Sequence, residues 1–172
     1  MAEDLASFAL SSATTLIDIF AGSGGNCIAF ANTDRWTKII AIEKDSATLA
    51  CAQANAKIYG VYEKITWVLG DSFEYLTANP PNVKETVVFA SPPWGGPGYR
   101  GDEIFDLSGM QPYSLLDLVG AGKGMGMALY LPRTSDLRQI ARVVPEGRKI
   151  EVVQYCMEGA GKAMVVYLPI FE

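Results

Sequence analysis

Thr14-Thr15-Leu16-Ile17-Asp18-Ile19-Phe20-Ala21-Gly22-Ser23-Gly24-Gly25-Asn26 is the stretch whose reading decides the fold. Thr14 to Phe20 is β-branched and apolar with a single charge, so it reads as a buried strand. Ala21 to Gly25 is a tight glycine turn, and Asn26 is the expected N-cap of a helix running to about Thr33. The same order, strand then turn then helix, repeats outward from here. Lys38 to Glu43 is a second apolar strand that ends in an acid, and Asp45 caps a long alanine-rich helix that stops at Gly60. Lys64 to Gly70 is a third strand, followed by a helix over about 71–78 and a proline loop at Asn79-Pro80-Pro81-Asn82. Val87-Val88-Phe89-Ala90 is a fourth. On the amino side, residues 4–11 are expected to form a short helix.

Further on, residues 103–110 look irregular, and Tyr113 to Val119 has helical periodicity. Gly124 to Leu131 reads as a fifth strand closed by Pro132. Ser135 to Val144 reads as a helix with Arg138 and Arg142 on one face at four-residue spacing. Lys149 to Met157 and Lys162 to Ile170 read as a hairpin whose turn contains Gly159 and Gly161. The alternation predicts an α/β fold: a mostly parallel sheet covered on both faces, with an antiparallel pair at its end. No linker or internal repeat divides it, so one domain is expected over residues 1–172, with 1–13 a short leading segment.

The totals narrow the chemistry. The 172 residues suit a single core, and 49% of them are apolar. No apolar run approaches the roughly 20 residues that cross a bilayer, and the start, Met1-Ala2-Glu3-Asp4, is too acidic for a signal peptide or a mitochondrial presequence. The three cysteines, Cys27, Cys51 and Cys156, have neither metal-ligand spacing nor a pairing pattern, which fits an intracellular reducing compartment. There is no histidine. That excludes Ser-His-Asp and Cys-His catalysis and removes the commonest metal ligand, so no metal is expected. The net charge of −5 argues against a long nucleic-acid footprint, but not against a small or cationic nucleotide. The local exception is the run Arg133 to Lys149, with five basic residues against two acidic ones.

Three successive strand ends carry residues with a job in nucleotide binding. Gly22 and Gly24 let backbone approach a ligand. Glu43, 21 residues after Gly22, is placed to accept ribose hydroxyls. Asp71, with Ser72 beside it, follows the third strand and can meet the exocyclic amine of a purine. Asp18 is a charge inside an apolar strand, where an unpaired carboxylate is costly, and a cationic ligand group would offset that cost. Two cofactors fit this outline. A dinucleotide calls for G-x-G-x-x-G, and Cys27 breaks that fingerprint. S-adenosylmethionine has no pyrophosphate and brings an ammonium for Asp18, so it fits better.

Ser91-Pro92-Pro93-Trp94-Gly95-Gly96-Pro97 follows the fourth strand. Proline has no N–H to give a sheet ladder, so the chain leaves the sheet at Ser91 as a stiff loop. Carbonyls beside a flat indole can stack an aromatic heterocycle and accept hydrogen bonds from its amine.

Taken together, Asp18 to Asn26, Ile40-Ala-Ile-Glu43, Asn55 to Gly60, Gly70-Asp71, Ser91 to Pro97 and Leu131-Pro-Arg133 resemble the trimethylguanosine synthase family in order and spacing, from about Thr15 to Tyr167. The glycine motif is shared by many methyltransferases, whereas Ser-Pro-Pro-Trp-Gly-Gly-Pro is specific to this family. The resemblance implies a Rossmann-like class I methyltransferase that moves methyl groups from S-adenosylmethionine to the exocyclic N2 of a 7-methylguanosine cap. It implies small nuclear and nucleolar RNAs as substrates, contacts with small nuclear ribonucleoproteins, and a nuclear or nucleolar location. It assigns the cofactor to Asp18, Phe20, Gly22, Gly24, Asn26, Glu43, Asp71, Ser72 and Ser91. Ser91 and Pro92 face the target amine, Pro93 and Trp94 hold the methylated guanine, and Arg133 lies near the cap phosphates. Ser91, Pro92 and Trp94 are thus the expected catalytic set.

The family's helical extension before the first strand has no counterpart in the residues preceding Thr14. That departure motivates a second reading, a non-catalytic module that binds cofactor or cap. A third, an amino-methyltransferase for another base or a protein amide, is disfavoured by Ser91 and Trp94, since its usual signature has Asn or Asp before Pro-Pro and Tyr after.

Overall fold

The computed structural model describes residues 1–96, 99, 101, 103–158 and 160–170. In chain order the elements are α1 (Ala2–Phe8), β1 (Thr15–Asp18), α2 (Gly25–Ala31), β2 (Lys38–Glu43), α3 (Ser46–Ile58), β3 (Ile65–Leu69), α4 (Ser72–Ala78), β4 (Thr86–Ala90), α5 (Leu115–Ala121), β5 (Gly126–Pro132), α6 (Leu137–Arg142), β6 (Glu151–Met157) and β7 (Ala160–Leu168). The strands form one sheet in the order β3-β2-β1-β4-β5-β7-β6. β1 to β5 run parallel, and β7 pairs antiparallel with both β5 and β6.

Side chains alternate across the sheet and build a core on each face. Leu16, Ile39, Ala41, Val87, Phe89 and Ala128 meet α1, α2 and α3 through Leu5, Cys27, Phe30 and Ala56. Ile17, Ile40, Ile42, Val88, Leu129 and Val166 meet α4, α5 and α6 through Phe73, Leu115, Leu118 and Ile140. The irregular segment before α5 also closes this second core, with Phe105, Leu107 and Met110 buried.

Local chemistry sets most element ends. The Asp45 carboxylate accepts from the Thr48 N–H at 2.7 Å and starts α3. Ser114 and Asp117 form a reciprocal capping box at α5. Several expected boundaries shift. The cap of α2 is Gly24 and not Asn26, which lies inside the first turn, because Gly24 adopts a left-handed φ of +86°. The helix expected over 135–144 is shorter, because the Asp136 carboxylate accepts from the Arg138 N–H at 2.9 Å and sets its start. The helix expected over 4–11 begins at Ala2 and ends at Phe8. Gly161, expected in the hairpin turn, lies within β7 and pairs with Cys156; Gly159 is outside the described residues.

The strand order reverses between β1 and β4, where Asp18 sits beside Phe89. A crevice at the carboxyl ends of strands opens at such a switch point. The glycine turn and the Ser91 loop both leave the sheet there.

Candidate active site

Glu43 closes the glycine turn. Its Oε2 accepts the Gly22 N–H at 2.9 Å, and its Oε1 accepts the Asp45 N–H at 3.0 Å. Gly22 has φ +53°, a conformation that suits glycine. Asn55 of α3 braces the same turn by donating from Nδ2 to the Ser23 carbonyl at 2.9 Å. The Ser72 hydroxyl donates to the Ile19 carbonyl and ties the start of α4 to the end of β1. The Asp71 Oδ1 accepts the Phe73 and Glu74 N–H groups at 2.9 and 3.2 Å, and its Oδ2 accepts the Tyr113 hydroxyl. That last bond holds the Asp71 carboxyl below its ordinary pKa and pushes the Tyr113 phenol up to about 12.

These groups surround a cavity of about 320 Å³. Of the residues expected at the site, Phe20, Gly22, Glu43, Asp71, Ser72, Ser91 and Pro93 line it together. Asp18, Gly24, Asn26, Pro92, Trp94 and Arg133 are not in its wall. Gly24 and Asn26 belong to the start of α2, Pro92 is buried, and Arg133 is exposed just past β5. Lys44, Pro112 and Tyr113 also line the cavity, and no local pattern announced them.

Asp18 differs from expectation in its partner. It is fully buried on the Leu16 side of β1, which faces α2. Its Oδ1 accepts the Phe20 N–H at 3.1 Å and its Oδ2 accepts the Cys27 thiol at 3.1 Å. The cost of its burial is therefore offset inside the protein, and burial raises its pKa to about 6. Through the first of these bonds the carboxylate fixes the backbone of Phe20, which lines the cavity.

Trp94 is half-buried beyond the carboxyl end of β4. One face of the indole lies nearly parallel to Tyr130, with centroids 5.6 Å apart and planes 13° apart, and Tyr99 meets it edge-on at 5.0 Å. It is not a bare shelf, since Tyr130 covers one side. Its Nε1 is buried and has no hydrogen-bond partner among the described residues. Pro97, the last residue of the motif, is outside the described residues.

The set of acceptors fits a nucleoside. Each Glu43 oxygen keeps an acceptor position after its backbone bond, Asp71 offers another, and Ile19, Phe20 and Ile42 supply an apolar wall.

Sheet order and crevice define a Rossmann-like methyltransferase fold, and solved structures share it. An rRNA methylase from Streptococcus thermophilus superposes with a TM-score of 0.65 at 12% identity, covering 100% of this chain and 95% of that one. An RNA methyltransferase from Salinibacter ruber, solved with S-adenosyl-L-homocysteine, gives a TM-score of 0.57 at 20% identity, covering 98% and 87%. The METTL16 methyltransferase domain gives 0.66 at 15% identity, covering 99% and 65%. At such identities the likeness concerns the fold alone. Sequence comparison goes further: the family model described as RNA cap guanine-N2 methyltransferase matches residues 13–170, and the chain belongs to that family. Trimethylguanosine synthase of Schizosaccharomyces pombe is 32% identical over 156 residues, which are 88% of this chain and 64% of that protein. The Saccharomyces cerevisiae enzyme is 31% identical over 135 residues, 76% of this chain and 42% of that protein. The chain thus spans less than two thirds of the length of these curated relatives.

Proposed function

We propose that this chain transfers methyl from S-adenosylmethionine to the exocyclic N2 of a 7-methylguanosine RNA cap. The observation that carries the reading is the cavity at the β1/β4 switch point, which gathers Glu43, Asp71, Ser91 and Pro93 around one space. Glu43 holds the ribose hydroxyls while its backbone bonds keep the carboxylate still. Asp71 accepts the adenine amine. Bound S-adenosylmethionine supplies an electrophilic methyl group on a sulfonium sulfur. The chain's own part is to align the guanine amine with that methyl, so neither a protein nucleophile nor histidine is required. Ser91 lines the cavity and, with the Pro92 carbonyl, orients the amine and stabilises charge growing on it. Trp94 stacks on the methylated guanine, whose delocalised positive charge strengthens the contact. Tyr130 supports the indole from one side. Arg133 meets the cap phosphates.

Capped small nuclear and nucleolar RNAs are the substrates of this reading, with contacts to their ribonucleoproteins, and the nucleus or nucleolus is the place of action. The acidic net charge restricts the footprint to the cap.

Calorimetry tests it. S-adenosylhomocysteine binds first and 7-methylguanosine triphosphate second; Trp94→Ala abolishes the second heat and spares the first. With S-adenosylmethionine, a 7-methylguanosine cap analogue is methylated and unmethylated GTP is not. Equal rates on both, or binding without any turnover, overturn the reading.

A further inference from the structure

Tyr113 stands 42 residues from Asp71 in sequence, yet its hydroxyl reaches the carboxylate that the reading above gives to the adenine amine. It is not delivered by a loose loop. Ser114, the next residue, caps α5, and the Leu115 N–H donates to the Leu107 carbonyl at 3.2 Å. The ring stacks on Phe73, with centroids 4.2 Å apart and planes 22° apart, and tilts against Phe20 at 5.7 Å. Phe20 and Tyr113 both line the cavity, so the phenol ring forms part of its apolar wall.

A carboxylate oxygen accepts about two hydrogen bonds. Oδ1 already accepts two, from the N–H groups of Phe73 and Glu74. Oδ2 accepts the Tyr113 hydroxyl and has one acceptor position left. The carboxylate is pinned from both ends and offers a single acceptor in a single direction. We propose that Tyr113 is a positioning residue that aims the last acceptor of Asp71 at the exocyclic amine of the cofactor's adenine, and so sets the preference for adenine over a 6-keto purine.

The inference rests on the assignment of this cavity to S-adenosylmethionine. An amine donates to the remaining lone pair, whereas the 6-keto oxygen of hypoxanthine presents a second acceptor and is repelled. The Tyr113 hydrogen bond also holds the Asp71 carboxyl below its ordinary range, so it faces the purine as an acceptor with no proton to donate. Without the hydroxyl, Oδ2 regains a free position, water enters and the direction is lost. A side chain that merely filled the core would act differently: its loss would weaken all purine ligands alike.

The experiment compares S-adenosylhomocysteine with S-inosylhomocysteine on wild type and Tyr113→Phe, by calorimetry, with thermal melts as the folding control. The variant keeps the ring and its stacking on Phe73. It is expected to bind the adenosyl ligand about tenfold more weakly, because the charge-assisted bond from the adenine amine to Asp71 is no longer aimed. Affinity for the inosyl ligand should move less than about twofold, so the preference ratio falls. An unchanged ratio overturns the inference alone. A wild type that binds neither ligand overturns the cavity assignment and the inference with it. Asp71→Asn gives an independent check, since its amide can donate to the keto oxygen: the preference should shift toward the inosyl ligand, and a ratio equal to wild type again overturns the inference.

Discussion

The Cys27 thiol donates a hydrogen bond to the Asp18 carboxylate at 3.1 Å, and solvent reaches neither side chain. The pair lies where β1 meets α2, beneath the glycine turn. Burial pushes Asp18 up to about 6, opposed by the bonds from Cys27 and the Phe20 N–H, while the charge of Glu43 adds to the rise. Burial and the nearby carboxylate also push the Cys27 thiol well up.

A raised carboxyl pKa means that the folded protein holds this proton more tightly than the unfolded chain does. Asp18 therefore favours the folded state most at low pH. That contribution is lost as pH rises from about 4 through about 6, for a total of about 3 kcal/mol. Asp18→Asn cannot titrate. Urea unfolding of both proteins from pH 4 to 8 should show the variant gaining on wild type up to about pH 6, then a constant difference. Parallel curves across that window would contradict the assignment. The lowered carboxyls, such as Asp71 and Asp106, act in a separate window: their contribution is present above the unfolded value and lost as pH falls through the folded one.

The same pair predicts thiol reactivity. Cys51 and Cys156 are exposed, whereas Cys27 is buried. A chromogenic aromatic disulfide at pH 8 should titrate two thiols quickly in the native protein and the third only in denaturant. Three fast thiols would show that α2 does not seal Cys27 against β1.

Two adjacent glycines should respond in opposite ways to alanine. At Gly24, φ is +86° and an added Cβ would lie 3.1 Å from the Ala52 Cβ and 3.2 Å from its Cα. Gly24→Ala should destabilise by about 2–4 kcal/mol through strain and overlap with backbone. At Gly25 nothing lies within 4 Å of the added carbon. Gly25→Ala should be neutral or stabilise by up to about 1 kcal/mol, as alanine favours the helix. Chemical denaturation of the two variants measures both.

On the same face of the sheet, α1 is held by a hydroxyl network. Tyr155 of β6 donates to the Asp4 carboxylate, and its oxygen lies 3.0 Å from the Tyr167 hydroxyl. Phe8 packs on the Tyr167 ring at 5.1 Å. Tyr155→Phe should cost about 1 kcal/mol and speed amide exchange in α1 more than in β1. Uniform exchange in both elements would mean that α1 is held by its apolar contacts alone.

Features written into short stretches were legible in the sequence. Asp45 caps α3 because its own carboxylate reaches an N–H three residues on. The second strand, Lys38–Glu43, matches its expected bounds because an unbroken apolar run ends in a charge. Joint placement of Glu43, Asp71 and Ser91 followed from each lying at a strand's carboxyl end. Boundaries were harder where two local signals compete: Asn26 has a capping side chain, but Gly24 takes the left-handed turn two residues earlier.

Composition, periodicity and capping chemistry act over a few residues, so the sequence by itself determined the alternation of strands and helices, the turn at Gly22 and the break at Pro92. Only the tertiary structure decided that Asp18 turns to Cys27, that Tyr130 covers one face of Trp94, and that Tyr113 grips Asp71. Those contacts depend on strand order and on which face of the sheet each side chain takes, and they join residues as far as 42 positions apart. No local pattern encodes such a meeting, because the free energy that selects it comes from burying the two faces of the whole sheet at once.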